Sequence, residues 1–282
     1  MDGRPLHILP PRPGTTILST DTFTLMKVPP PAELAGLVLD IALYAERSGK
    51  PIRQVETASL VVPVLIGFAD PFELALGRLP DARDGHQSFT SGLTTKPVHI
   101  RSDGACSCLE ITLTPLGARR FFGLPMSELT ERLVGLETLG DRSIVALREE
   151  LGSEPDWNRR HAIAEAFVVG RMRRGPALSR TASWAYREIV RSGGRISVEQ
   201  LARQVDWSRK HLAQRFGAEI GLSPKAVARI ARFNRAQAIA RQGGDGWAEI
   251  AAACGYADQA HLIRDFREFA GATPAQWLAA AA

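Results

Sequence analysis

Apolar positions along the chain change their period twice. Between Pro31 and Gly49, Leu34, Leu37, Val38, Ile41 and Ala45 fall at helical spacing, and Gly49-Lys50-Pro51 ends the run, so the pattern predicts a helix there. From about residue 53 to 113 the runs shorten. Leu60–Phe68, Phe72–Leu76, Val98–Ile100 and Cys106–Leu113 read as strands separated by Asp, Gly, Pro and Ser. In the last of these, Leu109, Ile111 and Leu113 alternate with Glu110 and Thr112, which predicts a strand with one wet face. Helical periodicity returns over Pro115–Phe122, Ser143–Leu151 and Trp157–Arg173. The basic cluster Arg171 to Arg174 is followed by Gly175-Pro176, which a helix does not cross, and everything beyond reads as helix. Residues 1–30, with six prolines (Pro5, Pro10, Pro11, Pro13, Pro29 and Pro30), read as a loose or extended lead-in.

These regimes predict an α+β chain with an N-terminal module of mixed strands and helices, residues 1–175, followed by an all-α domain, residues 176–282. Charge follows the same division. Residues 176–282 hold 15 Lys and Arg against 9 Asp and Glu, a net of +6, whereas residues 1–175 hold 20 against 21. The basic excess thus lies wholly in the helical end, as expected of a polyanion-binding domain attached to a neutral module. No apolar stretch reaches transmembrane length, no secretory leader is evident at the N-terminus, and only three cysteines occur, Cys106, Cys108 and Cys254. A cytoplasmic protein without a membrane partner is the expectation.

The helical end repeats itself. Leu201-Ala202-x-x-Val205 recurs as Ile250-Ala251-x-x-Cys254, at a shift of 49. Leu212-x-x-x-Phe216 recurs as Leu262-x-x-x-Phe266, and Gly221-Leu222-Ser223-Pro224 as Gly271-Ala272-Thr273-Pro274, both at a shift of 50. The second copy therefore has one extra residue in its turn. Each copy reads as a helix-turn-helix. In the first, residues 197–220, Ser197-x-x-Gln200 is a capping box, and Val198, Leu201, Ala202 and Val205 form the inward stripe of a short helix. Asp206-Trp207 makes the turn and Ser208 caps a second helix, with Leu212, Phe216 and Ile220 inward. In the second, residues 247–270, Gly255-Tyr256-Ala257 is the turn and Asp258 the cap, with Leu262, Phe266 and Phe269 inward. A helix over 224–242, entered through Ser223-Pro224, joins the copies.

The second helix of such a unit is narrow enough to enter a major groove. Its outward residues in the first copy are Arg209, Lys210, Ala213 and Gln214, flanked by His211 and Arg215. In the second they are Gln259, Ala260, Ile263 and Arg264, flanked by His261 and Arg267. Arg and Gln suit bidentate contacts to guanine and adenine, and Ala and Ile suit the thymine methyl. Two units on one chain can read successive major grooves on one face of the duplex, about 34 Å apart.

The tandem unit, above all Cys254-Gly-Tyr-Ala-Asp-Gln-Ala-His-Leu-Ile-Arg-Asp-Phe-Arg-Glu-Phe-Ala-Gly-Ala-Thr-Pro274, resembles the AraC/XylS family of bacterial transcription regulators over about residues 180–280. The resemblance implies sequence-specific binding to double-stranded promoter DNA and transcriptional activation through RNA polymerase. Its base-contacting positions fall on Lys210, Ala213 and Gln214 in the first unit, and on Gln259, Ala260, Ile263 and Arg264 in the second. Two departures stand out: Asp206 occupies a turn position where glycine is common, and Ala213 is short where a longer polar residue is frequent. The stretch from Thr114 to Leu129 resembles the module preceding the DNA-binding end in a subset of these regulators. By analogy that module senses a small-molecule effector, forms a homodimer, or does both.

Other chemistry has weaker support. Cys106 and Cys108 share a strand face and with His99 suggest a metal or oxidant sensor, but small core residues are the favoured reading, since no fourth ligand has telling spacing. Cys254 reads as packing and His86 as a loop residue. Arg119-Arg120 and Arg171 to Arg174 read as solvated charge, with phosphates or acidic partners as the alternative. The Pro31–Gly49 helix would pack on its own sheet or form a dimer face. No Walker loop, G-x-G-x-x-G after a strand, H-E-x-x-H or G-x-S-x-G occurs, so neither an enzyme nor a cofactor is expected. An alkyl-accepting repair protein would need a four-cysteine cluster, and this module holds two cysteines.

Overall fold

The computed structural model describes residues 14–244 and 246–280 and has the α+β organisation. Eleven described strands come first: β1 (Thr16–Ser19), β2 (Phe23–Val28), β3 (Val38–Glu46), β4 (Ile52–Glu56), β5 (Val62–Gly67), β6 (Phe72–Leu76), β7 (Gly85–His86), β8 (Ser88–Ser91), β9 (Val98–Ser102), β10 (Ser107–Leu113) and, after helix α1 (Pro115–Phe122), β11 (Leu133–Gly135). They form two antiparallel sheets, ordered β1-β2-β3-β10-β5-β8-β11 and β4-β9-β6-β7. Helices α2 (Arg142–Ser153) and α3 (Trp157–Arg174) follow.

The larger sheet has two dissimilar faces. Leu109, Ile111 and Leu113 of β10, with Val62, Val64 and Ile66 of β5 and Ile41 and Leu43 of β3, are buried in the core that includes residues of α1, α2 and α3. The alternate residues Cys108, Glu110 and Thr112 line a cavity of about 650 Å³. The wet face expected for β10 is therefore one wall of a cavity between the sheets, faced by Val98, Ile100 and Ser102 of β9 and by Phe72 and Leu74 of β6 and reached from solvent past Gln54 and Glu56.

Two sequence expectations need correction. The stretch from Pro31 to Gly49 is not a helix. A single 3-10 turn at Ala32–Leu34 leads into β3, which pairs with β2 on one side and β10 on the other. An interior strand with packing on both faces shows a near-continuous apolar run, which mimics helical spacing over a few residues. The proposed helical dimer face disappears with it. Of the loose and extended readings of the lead-in, the loose one is also corrected from Thr16, where β1 and β2 form an extended hairpin in which Thr24, Met26 and Val28 alternate inward. The residues before Gly14 lie outside the described part. The four short strands β4, β7, β8 and β11 also escape the sequence pattern.

Beyond Gly175 every described element is helical: α4 (Arg180–Arg191), α5 (Val198–Gln204), α6 (Arg209–Ile220), α7 (Pro224–Gln242), α8 (Trp247–Cys254), α9 (Gln259–Ala270) and α10 (Pro274–Ala280). Phe216, Phe233, Phe266 and Phe269 anchor this core, with the Phe233 ring 4.9 Å from Phe266 and 5.3 Å from Phe269. Among the described residues no helix is long and apolar enough to cross a membrane.

Candidate nucleic-acid interface

The two helix-turn-helix copies are built on matching local geometry. In the first, the Trp207 N–H donates to the Ala202 carbonyl at 3.0 Å, and in the second the Tyr256 N–H donates to the Ala251 carbonyl at 2.9 Å. Both closures need a left-handed residue just before the aromatic one, supplied by Gly255 at φ 78° and by Asp206 at φ 52°. Asp tolerates this conformation better than most residues but at a cost glycine does not bear. The aromatic residue of each turn then packs edge-on against a histidine in the first turn of the next helix. The ring centroids are 4.5 Å apart for Trp207–His211 and 5.1 Å for Tyr256–His261.

Capping fixes where each outward helix begins. The Ser197–Gln200 capping box opens α5 with both reciprocal bonds formed. The Ser208 hydroxyl accepts from the His211 N–H at 3.2 Å, and the Asp258 carboxylate accepts from the His261 N–H at 2.6 Å. The inward stripes Leu212, Phe216, Ile220 and Leu262, Phe266, Phe269 are fully buried, and so is Cys254. Helical geometry then turns positions 209, 210, 213 and 214, and 259, 260, 263 and 264, to the opposite side.

Arg209, Lys210, His211, Gln214 and Arg215 are exposed on α6, and Gln259, Ala260, Arg264 and Arg267 on α9. Ala213, His261 and Ile263 are half-buried; His261 is held against Tyr256, so packing occupies part of its ring. Among the described residues, Arg209, Lys210, Arg215, Arg264 and Arg267 make no ion pair. Other arginines nearby are committed: Arg203 lies 3.9 Å from Glu199, and Arg241 stacks on Trp277. Each of the two outward faces thus carries cations without an ion pair among the described residues.

One buried ion cluster ties α9 to the joining helix. The Arg229 guanidinium on α7 reaches Asp265 Oδ1 at 2.6 Å and Glu268 Oε2 at 2.6 Å and lies 4.8 Å from the Phe269 ring centroid. Asp265, adjacent to the outward Arg264, is 1% exposed. Sequence inspection passes over this pair because its members are 36 positions apart and neither belongs to a spaced motif.

The two halves of the chain also touch. The Ala58 N–H donates to the Phe269 carbonyl at 2.9 Å, and the Ala58 carbonyl accepts from Asn234 Nδ2 at 2.9 Å. Gln237 Nε2 donates to Thr57 Oγ1 at 3.1 Å. Arg119 lies 3.9 Å from Glu219 near the C-terminus of α6. The expectation of solvated arginines at 119–120 and 171–174 is corrected at several positions. Arg120 Nε donates to the Met172 carbonyl, Arg171 bonds the Phe121 carbonyl, Asp141 and Ser143, and Arg173 pairs with Glu33. Their partners are carbonyls and acids of this chain, which a linear reading cannot supply.

The cysteines are placed unfavourably for thiolate chemistry. Cys106 and Cys108 are free and buried; burial, reinforced by Glu46, pushes the Cys106 thiol up to about 12, and burial with Glu110 pushes Cys108 well above its usual range. His99 does not join them, since its neighbours Val98 and Ile100 face the cavity and it alternates to the other side of its sheet. Among the described residues no group of three His, Cys, Asp or Glu side chains converges to hold a metal ion. His86 is in the short strand β7, 6.3 Å from the Phe89 ring, rather than in a loop.

Residues 201–280 match a family model described as a helix-turn-helix domain. No curated protein sequence matches the chain. Among solved structures it is similar to a lysine-to-alanine variant of apo ToxT from Vibrio cholerae strain SCE256, with 11% identity over 86% of this chain and 96% of that one and a TM-score of 0.45. It is also similar to the xylose-binding transcription activator XylR, with 23% identity over 39% of this chain and 30% of that one and a TM-score of 0.32. The AraC-like transcriptional activator CuxR shares 16% identity over 73% of this chain and 78% of that one, with a TM-score of 0.30.

Proposed function

We propose that residues 201–280, which match a helix-turn-helix domain model, are the DNA-binding part of an AraC-type transcription regulator that reads a promoter with α6 and α9 in successive major grooves. The observation that carries the reading is the pair of outward faces set on matching turns, each presenting unpaired cations beside polar and small residues. Lys210, Gln214, Gln259, Ala260, Ile263 and Arg264 are the base readers, with Arg209 at the edge of the first face. Arg215, Arg267 and His261 lie toward the flanks, where phosphate contacts set register. The N-terminal module modulates this binding in response to a small molecule, and the chain acts on transcription in the bacterial cytoplasm through RNA polymerase.

The test is Arg264→Ala, measured at fixed salt on the preferred site and on random DNA. A loss of about 1–3 kcal/mol confined to the preferred site, with relaxed choice at one base position, is expected of a base reader. An equal loss on both DNAs reduces Arg264 to a phosphate contact.

A further inference from the structure

The cavity between the sheets has an unusual lining. Among the described residues, its charged lining is three carboxylates, Glu46, Glu56 and Glu110, with no lysine, arginine or histidine. Most of the remaining wall is apolar, including Phe23, Leu65, Phe72, Leu74, Phe89 and Ile100.

The three acids are not equivalent. Glu46 is fully engaged, receiving hydrogen bonds from the Tyr44 hydroxyl at 3.1 Å, the Ser102 hydroxyl at 2.9 Å and the Cys106 N–H at 3.1 Å. Glu56 is exposed and takes a bond from the Gln54 amide. Glu110 stands in mid-strand on β10, between Cys108 and Thr112 on the cavity face, and among the described residues its side chain takes one long hydrogen bond, from the Thr112 hydroxyl at 3.5 Å. Burial disfavours its charged form, with the Glu56 charge adding to the effect and Lys27, itself paired with Asp40, opposing it. A carboxyl group so placed has one weak donor, and a cation beside it would favour the charged state.

We propose that this cavity binds an apolar or aromatic molecule carrying one protonated amine, with the ammonium on Glu110 and the apolar body among Phe72, Leu74 and Phe89. The volume suits a ligand of ordinary metabolite size. Aromatic faces add attraction for a cation, whereas a carboxylate ligand would meet three acids and no cation in the described lining.

Occupancy has a direct route to the DNA-binding helices, an extension that rests on the regulatory reading above. Thr57, Ser59 and Val61 line the cavity, and the same short segment carries Ala58, bonded to α9 through Phe269 and to α7 through Asn234. A molecule touching this segment therefore presses on the contact that holds the second helix-turn-helix.

The experiment is titration calorimetry of the full chain with three molecules of one shape: phenylbutylamine, phenylbutanol and phenylbutyrate. Saturable amine binding tighter than about 1 mM is expected, with the alcohol and the acid each weaker by about tenfold or more. Glu110→Gln, verified as folded by circular dichroism, should lose about tenfold in amine affinity while alcohol affinity is little changed. No amine binding, equal binding of acid and amine, or an unaltered amine affinity in Glu110→Gln overturns the proposal. Binding of the same samples to selected promoter DNA separates the two readings. Amine binding without DNA binding defeats the regulator, and DNA binding without amine binding defeats the ligand.

Discussion

Arg229 should be the most costly single charge to remove from the helical domain. Its guanidinium makes charged hydrogen bonds to Asp265 at 2.6 and 3.3 Å and to Glu268 at 2.6 and 3.2 Å. Asp265 is 1% exposed, and its other polar neighbour, the Tyr256 hydroxyl, is neutral, so Arg229 is its principal charge compensation. Arg229→Met keeps an apolar stem over Phe269 but strands the Asp265 carboxylate. Breaking such a pair costs about 3–5 kcal/mol when both partners are dry. The Arg229 side chain is 25% exposed, so water recovers part of that loss and the lower end, about 3 kcal/mol, applies. Urea unfolding followed by circular dichroism measures it. Adding Asp265→Asn to Arg229→Met removes the stranded charge and should restore more than about 1 kcal/mol. Affinity for selected DNA should fall with Arg229→Met even though the residue is not on an outward face, because its pairs with Asp265 and Glu268 tie α9, the helix that carries Arg264, to α7. A cost under about 1 kcal/mol, or a double variant that loses the sum of the single losses, would refute the reasoning.

Asp206→Gly should stabilise the first unit by about 1 kcal/mol in the same assay, since it relieves a left-handed aspartate at φ 52°; destabilisation would mean that the Asp206 side chain contributes something its exposed position does not reveal. Gly117→Ala places a methyl about where the Leu37 carbonyl oxygen sits, 2.0 Å from the new carbon, so α1 must shift off the strand lead-in; a loss of about 1–3 kcal/mol is expected, and a neutral result would show that this helix does not pack so closely. Glu110 is raised in the folded chain by burial and by Glu56 and Asp40, against the opposing pull of Lys27 and Thr112. Its contribution is therefore full below the unfolded carboxylate range and is lost as pH rises through the folded value. Glu110→Gln should accordingly be more stable than the native chain at about pH 7, with the gain shrinking toward about pH 4; a gain independent of pH would contradict this.

The helical end was readable because its information is local. Capping hydroxyls at Ser197, Ser208 and Ser223, the Asp258 carboxylate and the stripes ending in Phe216 and Phe269 all lie within a few residues of what they specify. Self-similarity then doubled each signal, and even the odd Asp206 is explained by the glycine at the matching place in the second copy. The N-terminal module was readable only in part. Strand β3 carries apolar residues for two faces and so lost the alternation that marks a strand, and β10 kept its alternation but faced the cavity between the sheets rather than the outer surface. That cavity draws its wall from strands of both sheets, and the bonds from Asn234 and Gln237 to residues 57 and 58 join positions about 180 apart. No pattern confined to neighbouring residues can register either.

The most direct test of the central claim is selection of genomic fragments by the full chain at fixed, near-physiological salt. The account predicts one enriched site made of two short motifs whose centres lie about one helical turn apart, 10–11 base pairs. Lys210→Ala should relax base choice in one motif and Arg264→Ala in the other. Fragments retained without any shared motif, or variants that weaken all fragments alike, would contradict reading by α6 and α9 and leave only electrostatic attachment to the phosphates.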